Sequence, residues 1–154
     1  MKKLLLPVLA CAMFGCSSDD GGSSNDGIIN SADDVAGNWR MVGKYEHGST
    51  TNTATPCNLQ LSTLFFGENH LFTLKTGNTT TSGTCSTTTS SYDEYWILVG
   101  IVRIEQNSTN KQIYTAEMVD GHLQLTQTSY TNSSGFHDIE EADQKTLVYE
   151  RYEN

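Results

Sequence analysis

After Gly37 the chain alternates between apolar and polar positions at the two-residue period of β-strands, and the period of an amphipathic helix is absent. The alternation is clearest at Tyr114, Ala116 and Met118, which polar or small residues separate. One apolar and one polar face per strand are typical of an antiparallel sheet with one side in water. The pattern predicts eight strands: Trp39–His47, Leu59–Gly67, Leu71–Thr76, Tyr92–Val99, Ile101–Gln106, Gln112–Val119, His122–Tyr130 and Lys145–Tyr152.

The links between these strands carry turn signals. Asp120-Gly121 is typical of a two-residue type I′ hairpin turn, and Gly100 divides a long apolar segment into two strands. Two longer connections, 47–57 and the threonine-rich 76–91, are predicted to be solvated loops at one rim. Sequential antiparallel strands with short links favour an up-and-down barrel or a sandwich. We expect an all-β fold, an eight-stranded antiparallel up-and-down barrel.

The N-terminal segment has the pattern of a secretory signal. Lys2 and Lys3 are followed by an apolar run, Leu4–Phe14, and then by Gly15 and Cys16. A cysteine directly after a small residue resembles the lipobox of a bacterial lipoprotein. The resemblance implies cleavage before Cys16 and acylation of its thiol by chains such as palmitate, which hold the protein to a membrane.

Two alternatives bear on this interpretation. Cleavage before Cys11, which follows Ala10, would leave an apolar core at the lower length limit of a signal. A transmembrane anchor would need about 20 apolar residues, more than the segment has. The domain organisation that we expect is a signal peptide over 1–15, a flexible Ser-, Gly- and Asp-rich tether over 16–33 and one folded domain over 34–154.

The residues after Cys16 bear on the location of the protein. The serine next to it resembles outer-membrane sorting in Gram-negative bacteria. The run Ser-Ser-Asp-Asp resembles signals that send lipoproteins of the Bacteroidetes group to the cell surface. We therefore expect an outer-membrane lipoprotein that is exposed at the cell surface, and the periplasmic face is the alternative.

The charge of the chain limits its partners. Removal of the signal takes Lys2 and Lys3 and leaves seven basic against eighteen acidic residues, a net charge of −11. Nucleic acids and anionic lipid headgroups both require a basic face, so neither is expected as a partner. We expect a monomer that is attached to the membrane through Cys16 alone.

Two cysteines remain in the expected domain, Cys57 and Cys85. Export to an oxidising compartment favours a disulfide between them. A two-cysteine metal site would need further ligands at suitable spacing, and the sequence has none nearby. The four histidines are isolated from one another, and no nucleophile motif is present. We expect no enzyme activity, no cofactor and no metal site.

The segment Gly37-Asn38-Trp39 resembles the Gly-x-Trp signature of lipocalins. In that family the tryptophan closes one end of the barrel and an arginine from the last strand packs over it. Arg151 is suited to that role, and Arg40 is less suited. An arginine over a buried tryptophan contributes a cation–π term of roughly 0.5–2 kcal/mol.

The remaining domain is similar to the smaller lipocalin-like domains of secreted bacterial lipoproteins, from Asp34 onward. The shared order is a cysteine before the second strand, an aromatic residue at its end, an aromatic third strand, a second cysteine and a tryptophan-containing strand. In this sequence the matching residues are Cys57, Phe66, Phe72, Cys85 and Trp96. The Thr-Asp-Tyr motif of typical lipocalins is absent. The resemblance implies a lipocalin-like barrel.

The interior of such a barrel is the candidate binding site for a small hydrophobic or amphipathic ligand. The interior residues that we predict are Met41, Tyr45, Phe66, Leu74, Trp96, Leu98, Tyr114, Met118, Leu123 and Leu125. A packed core without a cavity needs the same residues and stays open as the alternative. In the strand Leu59–Gly67, either Phe66 or Phe65 could face inward.

Two other functions stay open. Tyr92 and Tyr95, expected to be exposed beside the threonine-rich loop, would suit a module that contacts a protein or a glycan through its rim. Inhibition of an envelope enzyme rests on analogy of fold alone.

Overall fold

The computed structural model of the protein describes residues 27–92, 94–105, 107 and 109–153. The predicted signal segment, Cys16 and most of the predicted tether lie outside these residues. The strands are β1 (Gly27–Ile28), β2 (Gly37–Glu46), β3 (Thr63–Phe66), β4 (Phe72–Thr79), β5 (Cys85–Tyr92), β6 (Glu94–Leu98), β7 (Ile101–Glu105), β8 (Lys111–Val119), β9 (His122–Asn132), β10 (Gly135–Asp138) and β11 (Lys145–Arg151). Helices α1 (Ala32–Val35) and α2 (Pro56–Leu61) and a 3₁₀ turn (Glu141–Asp143) complete the elements. Among the described residues no helix has the length and apolarity needed to cross a membrane.

The strands form one antiparallel sheet in the order β5-β4-β3-β2-β11-β9-β8-β7-β6, with β1 added to β8 and β10 added to β9. The all-β antiparallel fold is therefore confirmed. The described part of the chain has eleven strands, so the predicted number of eight is not confirmed. The sheet is not closed, because its two end strands, β5 and β6, do not pair. They follow each other in the chain with one residue between them.

Two segments differ from the sequence prediction. The predicted strand Leu59–Gly67 begins as helix α2, because Pro56 starts the helix and the Thr55 hydroxyl caps it by accepting the Asn58 N–H at 3.1 Å. The threonine-rich connection 76–91, predicted to be a rim loop, is a hairpin of β4 and β5. Threonine is β-branched and suits strands, which explains why a low-complexity run can pair.

A disulfide joins α2 to the start of β5 and confirms the predicted pairing of Cys57 with Cys85. Their Cα atoms lie 5.3 Å apart, and 28 positions separate them in sequence. Gly77 on β4 allows α2 to approach this closely, because a Cβ at that position would lie 2.0 Å from the Cys57 carbonyl oxygen. The helix, the bridge and the β4–β5 hairpin therefore form one packed unit.

The inward-facing side chains of the sheet form one core among the described residues. Its members are large apolar and aromatic side chains from nearly all the long strands. The buried residues are Ile29, Val35, Trp39, Met41, Leu64, Phe66, Phe72, Tyr92, Tyr95, Val102, Ile104, Tyr114, Ala116, Leu123, Leu125 and Tyr149.

Candidate functional site

Trp39 closes one end of the core. Its side chain is fully buried, and its indole N–H donates to the Val35 carbonyl oxygen of α1 at 2.7 Å. Arg151 lies over the ring, with Cζ 4.7 Å from the ring centre. Gly37 begins β2 with a φ of +114°, which favours glycine. The three residues Gly37, Trp39 and Arg151 thus lie together at this closed end.

Seven of the ten residues predicted to face the interior do so. Met41, Phe66, Tyr114, Leu123 and Leu125 are buried in the core, and Leu74 and Met118 are partly buried against it. Phe66 points inward and Phe65 is exposed, which answers the question of which of the two residues faces the interior.

Tyr45 is placed on the outer face of the sheet, contrary to the prediction. Met41 pairs with Tyr149, but Gly43 pairs with Val148, so one residue of β2 has no partner. This bulge reverses the side on which the following residues point. The Tyr45 ring lies over Gly43, where an added Cβ would come within 2.6 Å of the ring.

Trp96 and Leu98 also lie on the outer face, and their predicted interior placement is wrong. Tyr95 and Ile97 are the inward residues of β6 instead. Tyr95 is held there because its ring meets Phe66 edge-on at 5.1 Å and its hydroxyl donates to the Gly67 carbonyl at 3.2 Å.

Tyr92 and Tyr95 are buried rather than exposed as expected for a rim contact surface. Tyr92 packs against Phe72 with ring centres 5.5 Å apart. Burial, with a smaller contribution from the charge of Asp33, raises the pKa of Tyr95 above its ordinary value. The two tyrosines belong to the core where the two end strands follow each other.

A series of polar side chains leads out of the core. The hydroxyl of Tyr149 is buried and has no hydrogen-bond partner among the described residues. Burial, and then the neighbouring Tyr114 phenol, raises the pKa of Tyr149. The Tyr114 hydroxyl donates to the Gln112 side-chain oxygen at 2.5 Å, and the Gln112 amide donates to the Tyr92 hydroxyl at 3.4 Å. We call these four residues the tyrosine ladder.

The ladder opens into a cleft of about 410 Å³. Its walls combine two aromatic rings, four side-chain amides, one cation and one threonine hydroxyl. The lining residues are Tyr92, Asn110, Lys111, Gln112, Gln127, Tyr130, Thr131 and Asn132. We call this feature the ladder cleft. Such walls could hold an aromatic or apolar group between rings while amides and hydroxyls bind its polar part.

A second bulge turns Tyr130 toward the ladder cleft. Tyr114 pairs with Gln127 but Ile113 pairs with Ser129, so Thr128 has no partner on β8. Tyr130 consequently pairs with Gln112 and faces the same side. Gln112, Gln127 and Tyr130 were not predicted to be interior-face residues, because a residue with a polar group on a predicted strand resembles a solvated position.

The described residues contain no group of three or more His, Cys, Asp or Glu side chains that could hold a metal ion. The histidines are instead engaged singly. The ring of His137 stacks on Tyr130 with centres 4.9 Å apart, and His70 stacks on Trp96 at 5.7 Å.

No family model and no curated protein matches the chain at a significant level. Among solved structures, the crystal structure of the wild-type fluorescent protein UnaG is similar with a TM-score of 0.34 and 13% sequence identity. The alignment covers 79% of this chain and 100% of that one. A similarity at this level carries no functional argument.

Proposed function

We propose that the protein is a lipoprotein of the bacterial outer membrane, acylated at Cys16 and exposed at the cell surface, with a lipocalin-like domain that binds a small amphipathic molecule and catalyses no reaction. The ligand occupies the ladder cleft. The protein acts as a monomer, and its lipid holds it at the membrane.

The observation that carries this proposal is the ladder cleft, whose lining combines the rings of Tyr92 and Tyr130 with side-chain amides. Gln112 has a hydrogen-bond partner on either side, because its side-chain oxygen accepts the Tyr114 hydroxyl and its amide donates to the Tyr92 hydroxyl. Rings beside fixed polar groups are typical of a small-molecule site.

The residues that line the cleft indicate the chemical character of the ligand. The rings of Tyr92 and Tyr130 suit an apolar or planar part, and Gln112 and Gln127 offer both donors and acceptors. Lys111 lies at the rim, where its ammonium group already donates to Glu105 at 3.2 Å. A neutral or weakly acidic amphipathic molecule of a few hundred daltons matches this arrangement.

Native mass spectrometry tests the binding. The protein purified from bacterial membranes is expected to retain a non-covalent adduct that leaves on denaturation. Gln127→Leu, which removes an amide from the cleft, should lose the adduct. Gln124→Leu is the matched control, because Gln124 lies on the same strand and on the outer face. Equal retention by both variants, or no adduct in any preparation, would contradict binding in the cleft.

The lipid anchor is tested separately by metabolic labelling with an alkynyl fatty acid. Cys16→Ser should abolish the label, whereas Cys11→Ser should leave it unchanged, because the alternative cleavage uses Cys11. Protease added to intact cells should digest the labelled protein. Label that depends on Cys11 would show that cleavage occurs before Cys11 instead. Protection of the labelled protein from protease would favour the periplasmic face.

A second candidate function is favoured by β5. Among the described strands β5 is one end of the sheet and pairs only with β4, and it carries mostly exposed serine and threonine side chains. An exposed edge of eight residues can accept an extended peptide as an added strand. A photo-crosslinking residue in place of Thr88 should then capture a protein on intact cells, whereas one in place of Thr50, in the loop after β2, should not.

A further inference from the structure

The β6–β7 hairpin carries the most exposed large apolar residues of the strand region. Leu98 is 64% exposed, Val99 is 69% exposed and Ile101 is 38% exposed. Trp96, on the same face of the hairpin, is 44% exposed. A cluster of this kind at the tip of a hairpin is unusual for a surface that faces only water.

The outer face of this hairpin changes character in steps from its tip. Leu98 pairs with Ile101 next to the turn, Trp96 pairs with Arg103 one step back, and the acidic pair Glu94 and Glu105 follows. With about 3.3 Å per residue, Trp96 lies roughly 7 Å behind the apolar tip and the acids roughly 13 Å behind it. An apolar end followed by an aromatic and basic belt is the order found across a membrane interface.

The described chain begins beside this tip. The Gly100 N–H donates to the Ile29 carbonyl at 2.7 Å, and a Cβ at Gly100 would lie 3.2 Å from the side chain of Ile28. Ile28 is itself exposed and adds to the apolar cluster. Twelve chain steps lead from Cys16 to Ile28, so an acylated Cys16 keeps the tip within roughly 40 Å of the bilayer.

We propose that the tip of the β6–β7 hairpin inserts into the lipid surface to which Cys16 is anchored, with Trp96 at the level of the headgroups. This inference rests on the lipid anchor of the proposed function. Weak insertion is sufficient, because a short tether holds the tip at a high local concentration near the bilayer. Insertion of the tip, in addition to the lipid anchor, orients the domain. The closed end with Trp39 then faces the membrane, and the ladder cleft faces away from it.

The surrounding charge selects the lipid. Glu117 pairs with Ile28, and Glu94 lies behind Trp96, so the patch has acidic neighbours. Arg103 next to Trp96 is already bound to Glu105 at 2.7 Å. We therefore expect insertion into zwitterionic phosphatidylcholine and weaker insertion when anionic lipids are added.

Tryptophan fluorescence provides the test, because the chain has two tryptophans and Trp39 is buried in the core. The acylated full chain is reconstituted in phosphatidylcholine vesicles with brominated acyl chains. We expect the bromine to quench the emission relative to plain vesicles, and Trp96→Phe to lose this quenching. Leu98→Ser with Val99→Ser should reduce the quenching severalfold. Phe136→Ser is the control, because Phe136 is an exposed apolar residue of β10, which pairs with the end of β9 that lies away from the tip.

A second preparation separates this proposal from the anchor. The chain from Ser17 onward, preceded by six histidines and shown to unfold cooperatively, is held on the same vesicles by a nickel-chelating lipid. If Cys16 is not acylated but Trp96 is quenched in this second preparation, the hairpin inserts and only the proposed lipid anchor is wrong. If Trp96 is quenched in neither preparation, hairpin insertion is wrong. Concentration-dependent dimerisation that shields Trp96 without lipid would also overturn it, because the patch would then bind a second copy.

Discussion

The guanidinium of Arg151, on the last strand, lies 4.7 Å from the centre of the Trp39 ring, near the start of β2. The same arginine donates to the Asp34 carbonyl at 3.1 Å and so links β11 to α1. The Asp34 carboxylate in turn accepts the backbone N–H groups of Asn30 and Ser31, which hold its pKa below the usual value. One arginine therefore holds the closed end, the first helix and the C-terminal strand together.

Arg151→Ala is expected to destabilise the protein by about 1 kcal/mol, because it removes a partly exposed cation–π contact and one hydrogen bond. Chemical denaturation followed by Trp39 emission would measure the change. Arg40→Ala is the matched control, because Arg40 pairs with Glu150 on the surface and exposed pairs contribute less than about 1 kcal/mol. An equal loss in the two variants would contradict a special role of Arg151.

Removal of the disulfide by Cys57→Ala with Cys85→Ala is expected to lower the free energy of unfolding by about 3–4 kcal/mol. The reason is that the bridge closes a loop between positions 28 apart and restricts the unfolded chain. The oxidised parent, the reduced parent and the double variant should be compared by urea denaturation. A reduced parent as stable as the oxidised one would contradict the prediction.

Gly77→Ala is expected to cost about 3 kcal/mol, since its Cβ would overlap the Cys57 carbonyl oxygen and force α2 away from β4. Thermal unfolding measures the effect. Thr76→Ala, at the adjacent position, should change stability by less than about 0.5 kcal/mol. A mild effect at Gly77 would show that α2 can move without loss.

The protein is expected to lose stability in alkaline solution. Burial raises the pKa of Tyr114 and of Tyr149 above the ordinary 10.0. Their contribution is fully present below pH 10.0 and is lost as the pH rises toward the folded pKa, because only the unfolded tyrosines ionise readily. Absorbance at 295 nm should show that Tyr114 and Tyr149 ionise together with unfolding, and Tyr95, whose pKa is also raised, should ionise late as well. Their smooth titration in the folded protein would contradict the burial.

Tyr149→Phe is expected to keep stability within about 1 kcal/mol of the parent or to raise it, because the variant removes a buried hydroxyl that has no described partner. Chemical denaturation would measure the change. Tyr114→Phe, which breaks the bond to Gln112, should destabilise the protein more. A large loss of stability in Tyr149→Phe would show that its hydroxyl is bonded in the folded protein.

Local rules were sufficient for much of the fold. The alternation at Tyr114, Ala116 and Met118 and the turn Asp120-Gly121 specify strands and a hairpin from neighbouring residues alone. The disulfide followed from the count of cysteines, and the pair Trp39 and Arg151 from a resemblance. These features depend on residue type and order, which the sequence states directly.

The faces of several strands depended on tertiary contacts. Tyr45 points outward and Tyr130 toward the cleft because each follows a β-bulge, and no residue pattern marks the extra residue. Tyr95 rather than Trp96 faces the interior, because its ring packs against Phe66 and its hydroxyl donates to the Gly67 carbonyl. Both partners are far from Tyr95 in sequence. By itself the sequence determined an antiparallel all-β chain with one disulfide. Only the tertiary structure decided which aromatic residues form the core, the ladder cleft and the exposed hairpin tip, because a shift of one residue exchanges the two faces of a strand.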